Sequence, residues 1–180
     1  MCDLSDSAAI QGLADVLASV DVLVLNTGGP PPGAAAEISD AVWSAQFEAM
    51  FLSAIRLTRL ALPGMRQRGF GRIIAVVSSG VVQPIPGLGI SNAIRMALVG
   101  WAKTLSSEVA GQGITVNCLA PGRIATDRVA ELDGARARRE GISPRRSSDN
   151  HAPRFRPGAT AKPRSSPRWL RFLRVRKPPT

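Results

Sequence analysis

Between Gly71 and Pro121 the chain reads GRIIAVVSSGVVQPIPGLGISNAIRMALVGWAKTLSSEVAGQGITVNCLAP, and no other stretch limits its fold so tightly. An apolar run, Ile73 to Val77, ends in the pair Ser78-Ser79. A helical pattern through Leu98, Trp101, Ala102 and Leu105 follows, closed by Gly111 and Gly113, and then a second apolar run, Ile114 to Leu119. Short runs apolar on both sides suit buried parallel strands, and parallel neighbours need a crossover such as this helix. The active crevice of such a unit lies at the carboxyl ends of its strands. Ser78, Asn117 and the Pro121-Gly122 turn fall at that end. The expected class is α/β, a doubly wound parallel sheet.

The rest of the chain fits around this unit. Asp21 to Asn26 is short, β-branched-rich and apolar on both faces, so a third strand is expected over 21–26, beside strands at 72–78 and 114–119. It runs into Asn26-Thr27-Gly28-Gly29 and three prolines, where glycines permit either close approach to a ligand or an ordinary turn. Val42, Phe47, Met50, Phe51, Ala54, Leu57 and Leu60 cluster on one side of a helix over 39–62, which Pro63-Gly64 is expected to end. Near the start, Ser5 or Asp6 is placed to cap a helix over Ala8 to Leu17. Asp127 to Glu140 reads as a charged surface helix. Met50 reads as a core methionine, and Cys118, in an apolar run, as a buried small side chain.

Charge divides the chain in two. Residues 1–140 hold 12 basic and 12 acidic side chains, whereas residues 141–180 hold 11 basic and one acidic, which supplies the net +10. Seven of the 14 prolines fall in that tail, without periodic apolar residues, so a domain over 1–142 and a disordered basic tail over 143–180 are expected. Two cysteines make no disulfide framework or metal-ligand spacing. The start, MCDLSDSAAI, has no basic-then-apolar leader, and no apolar run approaches a membrane span, so a cytoplasmic protein is expected.

Three spacings then point to a family. Ser91 lies thirteen residues after Ser78, and Arg95 four residues after Ser91, on the same helix face. Pro121-Gly122-Arg123-Ile124-Ala125-Thr126 follows Asn117, and Asn26-Thr27-Gly28 follows a strand. This arrangement resembles the short-chain dehydrogenase/reductase family, in its 3-oxoacyl-[acyl-carrier-protein] reductase-like branch. That family has a Ser, a Y-x-x-x-K helix, an N-N-A-G turn and a P-G-x-x-x-T turn at these places.

The resemblance covers about residues 3 to 142 and implies a Rossmann-like fold, an NAD(P) cofactor and a small carbonyl or alcohol substrate. Residue by residue, it implies catalysis by Ser78, Ser91 and Arg95. It implies cofactor contacts at Asp3, Asn26, Gly28, Arg95, Pro121, Gly122, Ile124 and Thr126, and no metal. Asp3 reads equally as a capping acid, and Ser78 equally as a turn residue. Helices 39–62 and 91–110 would make a homo-oligomer, as in intact relatives. Departures from the pattern matter as much. Ser91 replaces the catalytic Tyr, and the chain has no tyrosine at all. Arg95 replaces the Lys and, being always charged, cannot join a proton relay, though it could hold nicotinamide-ribose hydroxyls. Leu25 stands for the first Asn of the turn, and Met50, seven residues after Trp43, for the Asn that links the Lys to water.

The glycine-rich loop T-G-x-x-x-G-x-G has no counterpart, so the resemblance implies that the first two strand-helix units, roughly 60 residues at about 30 each, are missing, as is the last strand. Reading 168–180 one base earlier permits a segment similar to the one before that strand, which points to a shifted frame. Three functions follow: an oxidoreductase of impaired activity, a catalytically inert fragment that binds subunits, and a nucleic-acid binder through residues 145–177, whose Phe155, Trp169 and Phe172 lie among arginines. The third is disfavoured, because a shifted frame makes Arg and Pro without selection.

Overall fold

The computed structural model describes residues 3–121 and 127–141. Its centre is a parallel sheet of three strands, β1 (Val22–Leu25), β2 (Gly71–Val76) and β3 (Ile114–Leu119), in spatial order β1-β2-β3. Register is continuous across it: Val24 pairs with Ile74, and Ile74 with Asn117. Helices α1 (Ser7–Gln11) and α2 (Ala14–Ala18) precede β1. Between β1 and β2 come α3 (Asp40–Phe47), a π-helical turn (Glu48–Leu52) and α4 (Ser53–Arg68). Between β2 and β3 lies α5 (Gly89–Val109), and α6 (Asp127–Glu140) follows β3. This is the expected α/β, Rossmann-like arrangement.

Side-chain alternation decides where the core sits. Leu23, Leu25, Ile73, Ala75, Ile114 and Val116 point to one face and are buried with Ala54, Leu57, Ala61 and Met65 of α4 and Leu98, Ala102, Leu105 and Val109 of α5. The opposite face carries Val22 and Val24, which are 50% and 55% exposed, with half-buried Ile74 and Val76 beside them. β1 is thus buried on one face only, where burial on both was expected. The reason is the layer: α4 and α5 contact the sheet from one side, and no described helix covers the other. Cys118, expected inside, is exposed near the end of β3: it shares the α5 face with Ile114 and Val116 but opens onto a groove between α5 and β3.

Two helix boundaries differ from the sequence expectation. The segment 8–17 is broken: Asp6 caps α1 through Ala8 N (2.8 Å), and the chain turns out of it as Gly12 N donates to Ala8 O and Leu13 N to Ile10 O, at 3.1 and 3.0 Å. Burial of Ile10 and Leu17 holds the two short pieces against the core. Pro63 does not end α4. A proline inside a helix forfeits a hydrogen bond and crowds the carbonyl four residues back, but buried Ala61, Gly64 and Met65 around it keep the helix going. Gly64 serves close packing, since a Cβ there would lie 1.8 Å from the Ala18 carbonyl oxygen. The stop is Gly69, in the left-handed region at φ 63°. Arg68, one residue before, donates to Ala18 O, Val20 O and Asp21 Oδ1 at 2.9, 2.7 and 3.0 Å, fixing the chain between α2 and β1.

Candidate functional site

The carboxyl ends of β1 and β2 open side by side, and α5 starts beneath them. After β2, Ser78 has extended backbone and its Oγ accepts from Gly80 N at 3.1 Å, closing a short 3₁₀ turn over Ser79–Val81. Ser91 is half-buried in the first turn of α5, and Arg95 lies one turn on, only 7% exposed. The Arg95 guanidinium donates to the Val76 carbonyl at the end of β2 and to the Thr27 and Gly28 carbonyls beyond β1, the latter two at 3.2 Å. Burial without a carboxylate lowers its pKa from the ordinary value, which for arginine leaves it charged. Arg95 therefore acts as a cationic tie between two strand ends. Thr27 Oγ1 is buried there with no hydrogen-bond partner.

Gly28 faces open space, so a ligand has access to its backbone. Asn26 is exposed just before it, and Pro121 is half-buried after β3. Gly122, Ile124 and Thr126 lie outside the described residues, as does the tail over 143–180. Asp3 is exposed, and its carboxylate accepts from Ser5 N and Ser5 Oγ, both at 2.8 Å, which holds its pKa below the ordinary value, the backbone bond contributing most. Met50, in the π turn, is 2% exposed and packs with Ile90 and Ile94 of α5. It is a core residue at the place where the resemblance expects a polar one.

Asn92 escaped the sequence reading. Its Nδ2 donates to Ile85 O at 2.9 Å and its Oδ1 accepts from Ile85 N at 3.3 Å, so one side-chain amide holds both backbone groups of the loop before α5. A Cβ on Gly80 would lie 2.4 Å from Asn92 Oδ1, which ties the Ser78 turn to the same point. Only its position next to Ser91 hinted at this. Two open grooves lie elsewhere. One, of about 300 Å³, runs between α5 and β3 past Lys103, Asn117 and Cys118; the other, of about 290 Å³, runs between α4 and α5 past Thr58, Leu62 and Trp101. Neither includes Ser78 or Ser91.

The family model for short chain dehydrogenases matches residues 1–137. The chain belongs to the short-chain dehydrogenase family. Dehydrogenase/reductase SDR family member 4 of Oryctolagus cuniculus is 36% identical over 124 residues, covering 68% of this chain and 48% of the relative. D-beta-hydroxybutyrate dehydrogenase of Cupriavidus necator is 34% identical over 144 residues, covering 78% and 56%. The solved structure of an actinorhodin polyketide ketoreductase variant with NADPH superimposes with a TM-score of 0.76 at 32% identity, over 83% of this chain and 59% of that one. The chain spans about half the length of the curated relatives it matches.

A nicotinamide cofactor is what this family implies, and the described residues do not fit its ribose end as the short-chain dehydrogenase pattern would. Arg95, where the resemblance places a Lys, directs its guanidinium onto three main-chain carbonyls. Position 91 carries a hydroxymethyl group where that pattern has a phenol.

Proposed function

We propose that this chain carries the substrate crevice of an NAD(P)-dependent oxidoreductase of the 3-oxoacyl-reductase-like branch, and that with these residues it turns over its substrate slowly or not at all. The family membership supports the first half, as does the NADPH held by the polyketide ketoreductase that this fold matches. The substrate is a small carbonyl or alcohol compound, and the setting is the cytoplasm. Serine at position 91 carries the second half. Its hydroxyl is a far weaker acid than a phenol and reaches less far, and losing a positioned proton donor typically costs about a hundred- to ten-thousand-fold in rate. Ser78 keeps the role of holding the substrate oxygen. Asn26, Gly28, Pro121, Gly122, Ile124 and Thr126 are the cofactor contacts of the proposal, with Asp3 at the adenine end. The test is a titration of the full chain with NADPH followed by its fluorescence: binding weaker than about 1 mM is expected, and saturation in the micromolar range would contradict the reading.

A second reading, an inert member that associates with subunits of a relative, is favoured by the apolar surface left open. Val22 and Val24 lie on an edge strand, and half-buried Ile55, Leu62 and Trp101 line the groove between α4 and α5. Association through helices 39–62 and 91–110 would cover that groove. Co-purification with a full-length short-chain dehydrogenase supports this reading, and its absence at micromolar concentration counts against it.

A further inference from the structure

One side-chain amide organises the turn that carries Ser78. Asn92, in the first turn of α5 and next to Ser91, donates from Nδ2 to Ile85 O at 2.9 Å and accepts at Oδ1 from Ile85 N at 3.3 Å. The amide therefore has a single orientation, since only one places its donor on the carbonyl and its acceptor on the N–H. The same Oδ1 stands 2.4 Å from where a Cβ on Gly80 would begin. Gly80 is buried and its φ is not positive, so the glycine is there for room against Asn92 and not for an unusual backbone. Gly80 N in turn donates to Ser78 Oγ at 3.1 Å. Backbone bonds close the rest of the turn, Val81 N to Ser78 O at 3.0 Å and Gln83 N to Ser79 O at 3.2 Å.

A hydroxyl has one proton to donate and two lone pairs to accept with. At Ser78 the Gly80 N–H occupies one lone pair, and among the described residues nothing accepts the proton. We propose that Asn92 is a positioning residue for Ser78: seated against Gly80, it keeps the Gly80 N–H on Ser78 Oγ and leaves the hydroxyl proton for the oxygen of a carbonyl compound or alcohol. Asn92 touches no reacting atom; it acts through Gly80. A donor held in place before the substrate arrives has less ordering left to lose on binding. The inference rests on reading Ser78 as the group that holds the substrate oxygen, and it adds the residue that aims it.

Two measurements on the full chain test it. Hydrogen exchange followed by NMR at the Gly80 N–H reports the turn, and Asn92→Ala should speed that exchange about five- to tenfold. Asn92 is half-buried on a helix, so the fold should tolerate alanine there. Infrared difference spectra with cyclohexanone report Ser78 itself, because a carbonyl stretch falls in frequency when a hydroxyl donates to it. The stretch of bound cyclohexanone should lie lower in the unsubstituted chain than in Ser78→Ala. Asn92→Ala should move it most of the way to the Ser78→Ala position, and so should Gly80→Ala, which displaces the same Oδ1 from the other side. Unchanged Gly80 exchange in Asn92→Ala overturns the inference. So does a Ser78-dependent stretch that neither variant alters, which would leave the reading of Ser78 intact and make Asn92 a residue of the fold alone. A stretch indifferent to Ser78→Ala, or no saturable cyclohexanone binding, removes the role given to Ser78 and the inference with it.

Discussion

Arg95 shows how one substitution can change what a position does. A lysine is a point charge on a flexible stem, whereas a guanidinium offers several donors in a plane. Here that plane reaches Val76 O on one strand and Thr27 O and Gly28 O beyond its neighbour. Arg95→Met leaves those part-buried carbonyls short of donors and should destabilise the chain by about 1–3 kcal/mol. Arg95→Lys should recover only part of that loss. Urea unfolding checks both, and a methionine variant as stable as the parent would show that the tie is idle. Cys118 supplies a pH test. It opens to solvent along the groove between α5 and β3, where partial desolvation pushes its thiol pKa up. A raised pKa means less thiolate at neutral pH, so alkylation of Cys118 in a Cys2→Ser chain should reach half its limiting rate at a higher pH than an ordinary thiol does. A midpoint at or below the ordinary thiol value would contradict it.

At the scale of elements, glycines separate packing from propensity. Gly64 in α4 has the Ala18 carbonyl where its Cβ would be, 1.8 Å away, so Gly64→Ala should push α2 off α4 and cost about 1–3 kcal/mol. Gly100, inside α5, has nothing within 4 Å of that position, so Gly100→Ala should stabilise by about 0.5–1 kcal/mol. Thermal melts of the pair decide it, and the same sign for both would contradict the packing described. These positions also show what the sequence could reveal. The strand-helix-strand unit and the Ser78–Ser91–Arg95 spacing were legible because apolar runs and periodicity are local. The end of α4 was not, because Pro63-Gly64 carries the local signature of a stop while its tertiary neighbours hold the helix to Gly69. The Asn92 clamp was not legible either: asparagine beside Ser91 has no local signature, and its partner Ile85 lies across a loop. Nor could a sequence tell which face of β1 stays open, since that depends on where other helices stand.

At the scale of the molecule, the open sheet face and edge dominate. Parallel sheets are normally covered on both faces, and here Val22, Val24 and Leu119 are 50%, 55% and 47% exposed. An uncharged apolar edge invites pairing with other chains, so the isolated protein should elute as associated species, and Val24→Lys should raise its soluble yield. A sharp monomeric peak from the unsubstituted chain would contradict that. The central claim is that a short-chain dehydrogenase scaffold persists here without the proton donor of its chemistry. Steady-state NADPH oxidation by the full chain with a neutral ketone tests it most directly. A rate at or close to the protein-free blank is predicted, while a fast steady rate abolished by Ser78→Ala would contradict the account.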